Sequence, residues 1–240
     1  MGIAASAVLG TLALHAGLGN TNLNDIINII LALLIAIDVH ELGHAIVADR
    51  LGDDTPRRSG HLSLNPFRHM DQFGILMLFL LSITGTGFTY GYTPVDERAL
   101  RRRTEFGPAI VALAGPLMNI VLAALIAIPL THSVAVSCSP DGSCVATMFN
   151  NAQVYNFVVE LFWINVFLGV FNLVPLPPLD GWTILSAFFS PKLRFELRAI
   201  VQYGPMILLL LFLFEPQIHF FSSVIYPIRD WVGNEILTYL

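Results

Sequence analysis

Charge is scarce in this sequence. Of 240 residues, 12% are Asp, Glu, Lys or Arg, about half the share usual in a soluble domain. The charge present forms no basic stripe and no zinc-finger spacing, which excludes nucleic acid as a partner. Cysteine is almost absent. Cys138 and Cys144 share one short polar loop, so they frame no metal site. Outside the cytosol the pair suits a small disulfide loop, and two free thiols fit nearly as well. No repeat or low-complexity tract occurs.

Apolar residues fill the space that charge leaves. They make up 55% of the chain, and the mean hydropathy is +0.70. This composition predicts an all-α integral membrane protein: a polytopic bundle of about five to six transmembrane helices in one membrane-embedded domain, with its core over about 24–190. The lipid bilayer is thus its surroundings, and nothing in the sequence sets an oligomeric state. Apolar runs at 3–18, 24–51, 107–130, 152–175 and 200–222 are read as spans. The tail 223–240, with Trp231 and Tyr239, suits an interfacial helix.

The run from Phe73 to Ile83 is too short to span, and Gly85, Gly87 and Gly91 follow it. Four arginines lie within residues 50–68 and four more within 98–103. A single crossing between them would put the two basic clusters on opposite sides, against the tendency of positive charge to stay cytoplasmic. Residues 73–94 are therefore read as re-entrant, a short helix followed by an extended β-like return, in preference to a full span that takes extra length from residues 84–92. On this topology the N-terminus is cytoplasmic, and eleven of the twelve basic residues face the cytoplasm, Arg229 being the exception.

Within the second span, Ala36 to Val47 contains His40-Glu41-Leu42-Gly43-His44. His residues at i and i+4 share one helix face, so two imidazoles reach one Zn²⁺. A Glu after the first ligand is placed as a general base. Ionisable groups are costly within a membrane span, which makes this pattern hard to explain without a use. A catalytic zinc needs a third protein ligand. Candidates are Asp180, Asp38, His61 and His69. Asp38 points off the His face, and the two histidines lie in a polar loop. Asp180 follows Pro175, Pro177 and Pro178 and precedes Gly181, a rigid acidic turn at the end of an apolar span. It also suits a simple helix N-cap. His61 and His69 are read as polar loop residues or, less favourably, as a second metal site.

Three pieces together resemble the site-2 protease family of intramembrane zinc metalloproteases, peptidase family M50. They are His40-Glu41-Leu42-Gly43-His44, Ala114-Gly115-Pro116-Leu117-Met118-Asn119, and Asn172-Leu173-Val174-Pro175-Leu176-Pro177-Pro178-Leu179-Asp180-Gly181. Leu64-Asn65-Pro66 through Asp71 and the Gly87–Pro94 segment resemble the short prokaryotic branch without a PDZ domain. The resemblance implies one zinc held by His40, His44 and Asp180, with Glu41 as the base. It implies that Asn119 and Asn172 contact substrate, and that Tyr90, Gly91 and Tyr92 lie in a β-loop that pairs with an unwound substrate strand. Tyr90-Gly91-Tyr92-Thr93-Pro94 departs from relatives that often carry a Trp and a Lys there. The implied substrates are transmembrane segments of membrane-anchored proteins. The implied place is a prokaryotic plasma membrane, with the site nearer the cytoplasmic side. Alternatives are an inactive scaffold or binding protein on the same fold and, less favoured, a metal transporter.

Overall fold

The computed structural model describes residues 23–70, 91–132, 136–138, 144–146 and 151–240. The apolar run 3–18, residue Tyr90 and nearly all of the re-entrant segment lie outside the described residues.

Three helices are long and apolar enough to cross a membrane. They are α1 (Leu23–Arg50), α5 (Gly107–Thr131) and α6 (Ala152–Asn172). Short helices α2 (Thr55–Arg58), α3 (Pro66–His69) and α4 (Glu97–Arg103) lie between the first two. A two-stranded antiparallel hairpin, β1 (Val136–Cys138) and β2 (Cys144–Ala146), follows α5, with Cys138 opposite Cys144. After α6 come α7 (Asp180–Ser186), α8 (Pro191–Glu196), α9 (Arg198–Leu213), α10 (Glu215–Ile218) and α11 (Tyr226–Tyr239). The described chain is an all-α membrane protein apart from that hairpin.

The helices are patterned for lipid. On α1, Ile27, Leu31 and Ile35 recur every fourth residue and are exposed, while Ala32, Ala36, Ala45 and Ala48 are wholly buried. On α5, Leu117, Val121 and Leu125 face outward while Gly115, Asn119, Ala123 and Ala127 are buried. Large apolar residues outside and small ones inside is the arrangement that lets membrane helices pack closely. Gly43 shows the effect. A Cβ there would lie 2.8 Å from the Ala114 carbonyl oxygen of α5, so only glycine permits this α1–α5 approach. Helix α5 is the centre of the bundle, packed against α1, α6 and α7.

Helix α1 ends in a Schellman motif. Asp53 N–H donates to Ala48 O and Gly52 N–H to Asp49 O, with Gly52 at φ +93°. The side chain of Asp53, itself buried, then accepts from Thr55 N and from Asp96 N. This ties the start of α4 to the end of α1.

The last part of the chain differs from the expected single span over 200–222. Helix α9 has 16 residues, about 24 Å of rise, less than the hydrocarbon thickness. The chain breaks after it, with His219 in the left-handed region at φ 55°. The tail is a helix, as expected, but α11 packs into the bundle against α5 and α6. Arg229, the one basic residue placed away from the cytoplasmic side, is buried there. Its guanidinium lies 4.7 Å from the Tyr226 ring centroid and 5.5 Å from that of Trp163, and pairs with Asp230 at 2.6 Å. Cation–π contact and an ion pair offset the cost of burying that charge.

Candidate metal centre

Helix α1 presents His40, Glu41 and His44 to the interior, all buried. The rings of His40 and His44 lie one turn apart, edge to face, with centroids 4.7 Å apart. Helix α5 orients both by their Nδ1 atoms. His40 Nδ1 lies 2.6 Å from Asn119 Oδ1, and His44 Nδ1 lies 2.7 Å from Val111 O. The amide nitrogen of Asn119 donates to Ala36 O and to Asn165 Oδ1, so its oxygen faces His40. Both partners of the imidazoles are acceptors, so each Nδ1 carries the hydrogen and each Nε2 presents a lone pair.

Those lone pairs converge on Asp180. Its Oδ2 lies 3.0 Å from His40 Nε2 and 3.4 Å from His44 Nε2. Asp180 is the first residue of α7, and its side chain caps nothing there. The prolines before it end α6 and set the turn, and Gly204 of α9 backs that turn closely at Pro177. Two imidazole nitrogens and a carboxylate oxygen, all acceptors within 4.8 Å of one another, repel unless a cation lies among them. Gly115 forms the adjoining wall. A Cβ there would come 2.4 Å from His44 Nε2 and 2.6 Å from His40 Nε2. Two His and one carboxylate is a donor set of catalytic zinc sites, so the residues fit the metal.

The other proposed ligands stand apart from this cluster. Asp38 faces His69, whose Nε2 is 3.5 Å from Asp38 Oδ1 and 2.8 Å from Ser63 O. His61 hydrogen-bonds Ser59 Oγ, and burial, then the nearby His69, holds its pKa below the ordinary value. Among the described residues, neither His61 nor His69 belongs to a three-ligand cluster.

A cavity of about 570 Å³ opens on the site. Its walls are largely apolar, with Ile37, Val111, Leu168, Phe171, Pro205 and Leu208 among them. Asn172 lines it, its amide donating to Leu168 O. Gly91 and Tyr92 line it too, Tyr92 being exposed. Asn119 does not. It is wholly buried, and its amide is used entirely inside the fold, so the structure moves it from substrate contact to the support of His40.

Three participants were missed in the sequence. Asn165 holds the Asn119 amide, and its signal was there, the one amide between Leu161 and Phe171 of α6. Thr93 donates to Glu41 Oε2 at 2.7 Å, and no local pattern marks it. The Val111 carbonyl is backbone and has no sequence signature.

Fold and site together define a helical membrane protein with a buried two-histidine, one-aspartate metal centre beside a glutamate. The chain belongs to peptidase family M50, whose model matches residues 28–212. It is 32% identical over 188 residues to "Putative zinc metalloprotease YwhC" of Bacillus subtilis, covering 77% of this chain and 79% of that one. It is 29% identical over 208 residues to "Putative zinc metalloprotease Rip2" of Mycolicibacterium smegmatis, covering 85% of this chain and 74% of the relative. "Zinc metalloprotease MJ0392" of Methanocaldococcus jannaschii is 24% identical over 185 residues, 76% of this chain and 41% of the relative. No solved structure matches.

Proposed function

We propose that this chain is an intramembrane zinc metalloprotease. It hydrolyses peptide bonds within transmembrane segments of membrane-anchored proteins. The carrying observation is the convergence of His40 Nε2, His44 Nε2 and Asp180 Oδ2, with both Nδ1 atoms already committed. His40, His44 and Asp180 hold the metal, which when bound supplies Lewis acidity to water and to a peptide carbonyl.

The chain's own residues do the rest. Glu41, next to the first ligand, takes a proton and returns it to the leaving amine. Its low exposure keeps bulk water from competing for that proton. The apolar cavity receives side chains flanking the cleaved bond. Asn172 and the Gly91–Tyr92 edge hydrogen-bond the unwound substrate backbone, which offsets the helix bonds lost on unwinding. The protein acts as one membrane-embedded domain in a prokaryotic plasma membrane. Its basic loops face the cytoplasm, and water reaches the site from that side.

The test is zinc content together with cleavage of a model single-span substrate in detergent. The parent should carry one zinc and cleave. Glu41→Gln should keep zinc and lose cleavage by more than about a hundredfold. Asp180→Ala should lose most of both. Full zinc and full activity in Asp180→Ala would remove it as a ligand. A parent without zinc would point to a binding role.

A further inference from the structure

Residues 91–96 run as a strap from the described edge of the cavity to the start of α4, directly over Glu41. Three ties hold it. Tyr92 N–H donates to His69 O at 2.7 Å, Asp96 N–H donates to Asp53 Oδ2 at 2.6 Å, and the Thr93 hydroxyl reaches Glu41. Its oxygen is 2.7 Å from Glu41 Oε2 and 3.1 Å from the Glu41 carbonyl oxygen. A hydroxyl has one hydrogen, and the shorter, charge-assisted contact takes the larger share. Gly91 covers the other carboxylate oxygen. A Cβ at Gly91 would stand 2.7 Å from Glu41 Oε1 and 2.6 Å from Glu41 Cγ.

Glu41 is one residue from a ligand, on a side chain with three rotatable bonds. A base on such a side chain works only if its carboxylate is held where the proton will be. Nothing on α1 itself holds it, and among the described hydrogen bonds the Thr93 hydroxyl is the one that reaches the carboxylate. We propose that Thr93 is a positioning residue. Its hydroxyl fixes Oε2, and the strap at Gly91 closes one side of Oε1. The His69 carbonyl and the Asp53 carboxylate set the strap's height by accepting from its backbone N–H groups, so Thr93 arrives at the carboxylate already placed. The inference rests on the reading of Glu41 as the general base.

Thr93→Val keeps the β-branched shape and removes the hydroxyl, while Thr93→Ser keeps the hydroxyl. Both are compared with the zinc-loaded parent and Glu41→Gln on a model single-span substrate, with zinc content and thermal transition recorded for each. Thr93→Val should lower kcat about tenfold with KM unchanged, the size of one charge-assisted hydrogen bond. Thr93→Ser should stay within about twofold of the parent, and zinc content and thermal transition should match in all four proteins. Parental or higher kcat in Thr93→Val would overturn the proposal, the higher value marking the strap as a lid that restrains the site. A change confined to KM, a Thr93→Ser variant as slow as the valine, or loss of zinc or fold in Thr93→Val would overturn it too. A zinc-loaded parent no faster than Glu41→Gln would instead bring down the protease reading itself.

Discussion

Asn119 has no polar atom to spare. Its oxygen accepts from His40, and its nitrogen donates to Ala36 O and to Asn165. A metal-ligating histidine held by its second nitrogen keeps one tautomer and one orientation, and losing that partner commonly costs 10–100-fold in metal affinity. Asn119→Ala should therefore weaken zinc binding by about that factor, read by competition with a chromogenic chelator. A variant that binds zinc as the parent does, yet loses substrate affinity, would restore the substrate-contact role. The residue itself was legible through the Ala114–Asn119 piece that carries the family resemblance. Its role was not, since that depends on which atom of a helix about 80 residues away it meets. Thr93 was illegible for the same reason, being one of many threonines until its distance to Glu41 is known.

At the scale of elements, the site is two helices pressed together and a turn laid across them. Helix α1 brings the imidazoles, α5 orients them, and the proline turn before α7 delivers the carboxylate. The α1–α5 approach depends on Gly43, and the room for a metal depends on Gly115. Gly115→Ala puts a methyl within contact distance of both Nε2 atoms, so it should abolish zinc binding with helix content by circular dichroism unchanged. Zinc at full occupancy in that variant would mean α5 retreats by more than its packing suggests. The spans α1, α5 and α6 were readable from composition, because a membrane helix must satisfy its own backbone and expose apolar side chains. The division after residue 213 was passed over because hydropathy averages across it, although Glu215-Pro216 marks the break.

For the whole molecule, the proposed topology puts the basic loops on the cytoplasmic side. Arg102 lies in α4 and Glu196 in α8, while His132 follows the far end of α5. In a background with Cys138 and Cys144 replaced, Arg102→Cys and Glu196→Cys should react with an impermeant maleimide only when the cytoplasmic face is open. His132→Cys should react from outside. Labelling of all three from one side would break the proposed topology. The sequence by itself determined the membrane character, the three spans α1, α5 and α6 and the placing of His40, Glu41 and His44 on one turn, because these follow from composition and from i, i+4 spacing within a single element. Only the tertiary structure decided that Asp180 rather than Asp38, His61 or His69 stands beside those histidines, and which nitrogens are free. Those outcomes depend on contacts between segments as far as 140 residues apart and on a backbone carbonyl, Val111 O, to which every residue type contributes the same group.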